Sequence, residues 1–412
     1  MSRTGPESLH LAVALDGAGW HPAAFQEPGS RTDELFTAGY WADLAREAEA
    51  GLLDFLTIED SLGLRPWGGV TPGRNGSRSG DVQGRLDAVL TAARIAPLTS
   101  HIGIIPAAVV THTEPFHVST AIATLDYASE GRAGVRLRVS RDEARHFGRR
   151  ADLGQHSPAV TRGTPEAQRL TARLFDEAAD YAEVLRRLWD SWEDDAVIRD
   201  VPAGRFIDRG KLHYIDFEGE WFSVRGPSIT PRPPQGQPVI AVLAHADVPF
   251  RLAARSADIA FVTPHGPDEA AGIITKINSH SAERTLDPVR VYADLTVFID
   301  ETPGTAAARR ARLDEAAGAA YRSDTEIVAG TPTEIADLLL SWSGSPDAGL
   351  AGFRLRPGTL PYDLSGITRG LVPELQRRGV FRTSYAESDL RSRLGLDPHP
   401  ANRYASSEAA SA

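Results

Sequence analysis

Cysteine is absent from the 412 residues. That excludes disulfides, thiolate metal sites and a cysteine nucleophile. Lysine occurs only as Lys211 and Lys276, so arginine supplies almost all of the 44 basic side chains. With abundant Ala and Gly, this resembles the codon bias of a GC-rich bacterium. No excess of positive charge exists either: the formal net charge is −11, which argues against general nucleic-acid or anionic-membrane binding. No apolar run reaches membrane-spanning length, and Met1-Ser-Arg-Thr-Gly-Pro6 carries no apolar signal segment. A soluble cytoplasmic chain is expected. Neither His-x-His nor His-Glu-x-x-His occurs, so no metal is expected. No Gly-x-Gly-x-x-Gly follows the first strand, which disfavours an open doubly wound dinucleotide fold.

What is present is organised around His101-Ile-Gly-Ile-Ile-Pro-Ala-Ala-Val-Val-Thr-His-Thr-Glu-Pro115. Ile102–Val110 is apolar almost without a break, the pattern of a strand buried on both faces. It changes abruptly to Thr111, His112, Thr113 and Glu114, and Pro115 opens a helix. Polar groups at the end of a buried strand mark the catalytic face of a (β/α)8 barrel. Along the chain, strands are expected at Leu9–Leu15, Asp54–Ile58, Arg132–Ser140, Val239–Ala244, Asp258–Thr263, Arg290–Ile299 and Gly352–Arg356. Helices are expected between them. They include one capped by Asp33, one from Pro165 to Trp192, and one started by a Thr331/Glu334 capping box. Eight strands alternating with helices give an α/β fold, a (β/α)8 TIM barrel with insertions. A single domain over 1–397 is expected. Residues 62–84, rich in Gly, Arg and Pro and carrying Trp67, read as a lid. Residues 193–238 read as an insertion, and 398–412 as a disordered tail. The stretch 141–165, with His146 and His156, reads as irregular.

Candidate site residues follow from the strand ends. Histidine as a residue type titrates near neutrality, which suits His112 to proton transfer or donation to a ligand; the plainer reading is a packed histidine. Glu114 starts a helix, where a carboxylate is favourable in any case. Arg136 and Arg138 share one face of the fourth strand by the period of two. Inside a barrel they need anionic partners: a bound phosphate or carboxylate would supply one, and Asp60 or Glu59 would supply an internal pair. His21 follows Trp20 in the first loop. His245 and Asp247 follow the fifth strand.

Several stretches resemble the luciferase-like flavin monooxygenases, in the branch of the nitrilotriacetate, pristinamycin IIA and dibenzothiophene-sulfone monooxygenases. They are Gly19-Trp-His21, Glu59-Asp-Ser61, Thr124–Gly134, Tyr181–Ala196, His213–Pro227, Arg232–Val239, Leu371–Gly379 and Leu390–Gly395. They cover most of the chain in order. The resemblance implies a bacterial-luciferase-like barrel that binds FMN as FMNH2, supplied by a separate NAD(P)H:flavin reductase. It also implies O2 activation through a flavin hydroperoxide, oxygenation of a small organic substrate, and assembly as a homo-oligomer. On this reading His112, His21 and Arg136 are catalytic. Asp60, Ala107, Arg136, Arg138, Ser140, His245 and Ala246 line the cofactor.

The departures from the family pattern are specific. The Thr/Ser-rich end of the third strand is replaced by Ala107, Val109 and Val110, with His112 in place of an aromatic. A Trp-Asn-Val-Val-Thr-Ser-like fourth strand has become Val135-Arg-Leu-Arg-Val-Ser140. A Gly/Ser-rich phosphate loop has become Leu243-Ala-His-Ala-Asp-Val-Pro249, and a tyrosine has become Phe175. Pro249 removes an N–H and Ala246 a hydroxyl. Three or four lost hydrogen bonds at 0.5–1.5 kcal/mol each weaken phosphate binding by about 10²–10⁴-fold unless a guanidinium compensates. Two alternatives follow. One is a family member without efficient FMN binding, acting as a binding or regulatory protein. The other is an enzyme that uses deazaflavin F420 or no flavin.

Overall fold

The computed structural model describes residues 9–64, 82–141, 143, 153, 163–282, 284–343 and 349–405. Most of the expected lid, with Trp67, and both His146 and His156 lie outside them.

Eight parallel strands close on themselves: β1 (His10–Leu15), β2 (Phe55–Ile58), β3 (Gly103–Val109), β4 (Gly134–Arg138), β5 (Val239–Leu243), β6 (Ile259–Val262), β7 (Arg290–Ile299) and β8 (Gly352–Pro357). Each pairs with the next, from β1 with β2 through β7 with β8, and β8 returns to β1. The (β/α)8 barrel expected from the alternation is the observed fold. The apolar run at the centre of the sequence is β3, buried at every position. A further short strand, Ile327–Gly330, pairs with the outer half of β7; no expectation covered it.

The helices that matter for the site are α1 (Ala38–Ala50), α2 (Ala88–Ile95), α3 (Pro115–Ala128), α4 (Pro165–Asp190), α5 (Asp247–Ser256), α6 (Pro267–Ser279) and α7 (Thr305–Ala317). The Asp33 cap is not the one used. Thr37 caps α1 by accepting from Tyr40 N, while Thr32–Glu34 forms a separate 3₁₀ turn. The Thr331/Glu334 box forms as expected: Glu334 accepts from Thr331 N at 2.8 Å, and Thr331 Oγ1 accepts from Glu334 N at 3.3 Å. Residues 193–238 hold two small antiparallel ribbons, Val197–Asp200 with Arg205–Ile207 and Phe217–Glu218 with Ser223–Val224. Within the stretch read as a tail, Asn402 donates to the carbonyls of Asp190 and Trp192, and Tyr404 stacks on His213. Residues 406–412 lie outside the described residues.

The barrel interior is built in two tiers. At the N-terminal end Phe55, Phe261 and Tyr292 pack ring against ring. Leu390, Leu394 and Leu396 join the same cluster and plug that end. The upper tier, toward the strand C-termini, is charged.

Candidate active site

The charged tier starts from two strands with one pattern. Gly134-Val-Arg-Leu-Arg138 is β4, and Gly352-Phe-Arg-Leu-Arg356 opens β8. The period of two sends each arginine pair inward and the intervening Leu outward into the helix-covered core. Asp294 of β7, fully buried, receives Arg354 Nε at 2.7 Å and Nη2 at 2.5 Å. It also receives Arg356 Nε at 2.9 Å. Arg354 reaches on to Thr57 Oγ1 at 3.2 Å and lies 3.5 Å from Glu59. Arg136 donates to the other oxygen of Glu59. Arg356 continues outward to Asp324 at 2.5 Å. Faces of Phe261 and Trp20 cover the two β8 guanidiniums, at 3.9 Å and 4.5 Å.

The arrangement is a chain of alternating charge, Arg136–Glu59–Arg354–Asp294–Arg356–Asp324, that neutralises itself. Burial lowers Arg136 to about 10, against the opposing pull of Glu59, so it stays cationic at neutral pH. Burial also pushes Asp324 upward, but the Arg356 guanidinium outweighs it and holds the carboxyl below its ordinary value. Arg138 donates to the Asp60 carbonyl and, at 2.9 Å, to Glu143. The two β4 arginines therefore find their anionic partners inside the protein.

Asp60 is turned the other way. Its carboxylate accepts from Ser61 N at 2.7 Å and Ala88 N at 3.3 Å, at the start of α2. Burial pushes it up to about 6, against those two backbone donors. This has a measurable consequence. The folded carboxyl sits above its ordinary 3.8, so between those pH values the folded chain keeps a proton that the unfolded chain has lost. The stability it contributes is present below about pH 4 and lost as pH rises through about 6. Relative to Asp60→Asn, the wild type should lose about 3 kcal/mol between pH 4 and pH 7. Urea unfolding across that range measures it, and a pH-independent difference between the two proteins would overturn the assignment.

The remaining candidates separate into groups. Ala107 is buried and in register with Arg136, where its small side chain leaves room for the guanidinium. His112 is buried at the end of β3, its N–H on the Val109 carbonyl at 3.2 Å. Ser140 donates its N–H to Thr111 Oγ1 at 3.0 Å, which ties the ends of β3 and β4 together. His21 lies on the β1–β8 side. Its Nδ1 accepts from Ala23 N at 3.1 Å, which puts the proton on Nε2, facing Asp314 of α7 at 3.0 Å. Burial lowers its pKa, against the opposing bond to Asp314, and favours the neutral ring. His245 and Ala246 are exposed at the start of α5. Ala246 is its N-cap and makes no side-chain cap bond. The Asp247 carboxylate stands at that helix start, paired with His280 at 3.1 Å and Arg251 at 3.7 Å.

Sequence reading missed Asp294, Arg354, Arg356 and Asp324. A signal was there for the β8 pair, because Phe353-Arg-Leu-Arg repeats Val135-Arg-Leu-Arg. For Asp294, a lone acid within an apolar strand, the signal was weaker.

Beside the charged tier, a cavity of about 340 Å³ opens between the loops that follow β1 and β2. Its wall includes Asp16, Glu59, Phe25, Leu35, Trp41 and Leu86. Among the described residues no helix is long and apolar enough to cross a membrane.

The sequence profile of the family described as luciferase-like monooxygenase matches residues 18–342. The chain is 29% identical to an N-acetyl-S-(2-succino)cysteine monooxygenase of Bacillus subtilis (strain 168), covering 97% of this chain and 99% of that protein. It is 28% identical to nitrilotriacetate monooxygenase component A of Aminobacter aminovorans, covering 95% and 97%. A solved long-chain alkane monooxygenase superposes with a TM-score of 0.81 at 21% identity, over 97% of this chain and all of that one. With a barrel of the same architecture, a cavity at the C-terminal ends of its strands and a profile that spans most of its length, this chain belongs to the luciferase-like monooxygenase family.

Proposed function

We propose that the chain is a monooxygenase that uses reduced flavin and O2 to oxygenate a small organic molecule at the barrel mouth. The observation that carries the reading is the cavity at the strand C-termini with Glu59 at its edge, in a barrel of this family. Reduced flavin supplies two electrons, so that one atom of O2 enters the product and the other leaves as water. The protein's part is to position the substrate and exclude water.

The described residues do not fit the phosphate of FMN. The α5 start presents a carboxylate, Asp247, and Pro249 lacks an N–H there. Both β4 arginines are paired internally. On this reading flavin is a transient co-substrate, delivered by a separate NAD(P)H:flavin reductase. The same observations favour a second reading, a family member that binds small molecules without flavin chemistry; a deazaflavin such as F420 is the third. Names of relatives do not choose the substrate, since they range from polycarboxylates to alkanes.

Anaerobic calorimetric titration with FMNH2, and with oxidised FMN, separates these readings. Binding of FMNH2 in the micromolar range, tighter than FMN, is the expected result. No binding of either at about 1 mM, corresponding to less than about 4 kcal/mol, would remove the monooxygenase reading and favour the second.

A further inference from the structure

We infer that the cavity between the β1–α1 and β2–α2 loops takes an uncharged, apolar molecule of aromatic or branched hydrocarbon character. As a substrate class this rests on the monooxygenase reading; as a binding site it does not.

The first observation is that the polar groups of the wall are engaged within the protein. The Trp41 indole N–H donates to the Leu35 carbonyl at 3.0 Å. Both His21 nitrogens are taken, by Ala23 N and by Asp314. Ser61 Oγ donates to Glu143 at 2.6 Å. Arg85 pairs with Asp16 at 3.6 Å, and Glu59 lies between Arg136 and Arg354. A charged ligand here must either break one of these pairs or be buried without a counter-charge, and both are costly.

The second observation is at the entrance. Leu64 is 65% exposed, Phe36 54% and Leu62 38%, and all three line this one cavity. Single exposed apolar side chains are ordinary, but a cluster rimming a cavity marks a binding surface. The volume, about 340 Å³, falls within the roughly 300–1,000 Å³ range of small-molecule sites.

Two fluorescent probes of nearly equal size test the inference on the full chain without flavin. N-phenyl-1-naphthylamine is neutral, and 1-anilinonaphthalene-8-sulfonate adds a sulfonate. The neutral probe should bind at least about 30-fold more tightly, since burying an unpartnered charge costs 2 kcal/mol or more. Replacing Phe36 and Leu64 together by Ala should weaken the neutral probe about tenfold. Both are exposed, so the circular dichroism and thermal midpoint should stay unchanged. Equal or tighter binding of the sulfonate overturns the inference. So does absence of neutral-probe binding, or binding indifferent to the double substitution. Failure of FMNH2 to bind while the neutral probe still binds would remove the monooxygenase reading and leave the cavity assignment standing.

Discussion

Replacing Asp294 by Ala should lower the unfolding free energy by about 3–5 kcal/mol, read as a shift of the urea midpoint. Asp294 is fully buried and is the shared acceptor of Arg354 and Arg356, each about 1% exposed. Without it two guanidiniums remain in a dry interior. Phe261 and Trp20 face them, but each such contact is worth only about 0.5–2 kcal/mol. Glu59 and Asp324 are already shared with Arg136 and water. The opposite expectation holds for removing all three charges. Asp294→Leu with Arg354→Leu and Arg356→Met should cost less than about 2 kcal/mol, because the lost attraction is offset by desolvation no longer incurred. A loss under about 1 kcal/mol for Asp294→Ala alone would mean that the upper tier is hydrated, and that its charges could still meet a ligand.

Riboflavin and FMN should bind within about threefold of one another. A formed phosphate cradle, with three or four hydrogen bonds, would instead favour FMN by about 10²–10⁴-fold. The physical cause lies at the start of α5. Ala246 brings no hydroxyl, Pro249 no N–H, and Asp247 places a carboxylate where a helix N-terminus would otherwise attract an anion. His245 is exposed and its electrostatic contribution falls on the Asp324 carboxylate. Asp247→Ser should shift the FMN-to-riboflavin ratio toward FMN by about tenfold, since it removes a repulsion and adds a donor. Competition calorimetry with the two flavins reads this directly. A wild-type preference for FMN above about a hundredfold would show that the phosphate is held elsewhere, and would reopen Arg138 and Ser140 as its contacts.

Much of this site was legible before any fold was known. The apolar run of β3 and its sudden polar end placed a doubly covered strand and its C-terminal end, because a strand covered on both sides is apolar throughout. The period of two placed Arg136 and Arg138 on one face, and Glu59 was one of two acids named as an internal alternative to a bound anion; the other, Asp60, turns its carboxylate to Ser61 and Ala88, and Arg138 takes Glu143 instead. The family was carried by long motifs that survive in order. Other features were beyond the sequence. Arg136 meets Glu59 across 77 positions, and His21 meets Asp314 across 293. Strand alternation tells which way a side chain points. Which carboxylate it meets depends on how the strands are ordered and staggered around the closed barrel. An arginine that needs an anion is satisfied equally by a ligand or by an acid from the opposite wall. The choice was made by the pairing of β8 with β7, which sets Arg354 level with Asp294, and by the return of β8 to β1, beside β2, which leaves Arg354 3.5 Å from Glu59. That closure fills the interior with paired charge, and the cavity with Phe25, Leu35 and Leu86 in its wall lies at its edge, between two loops.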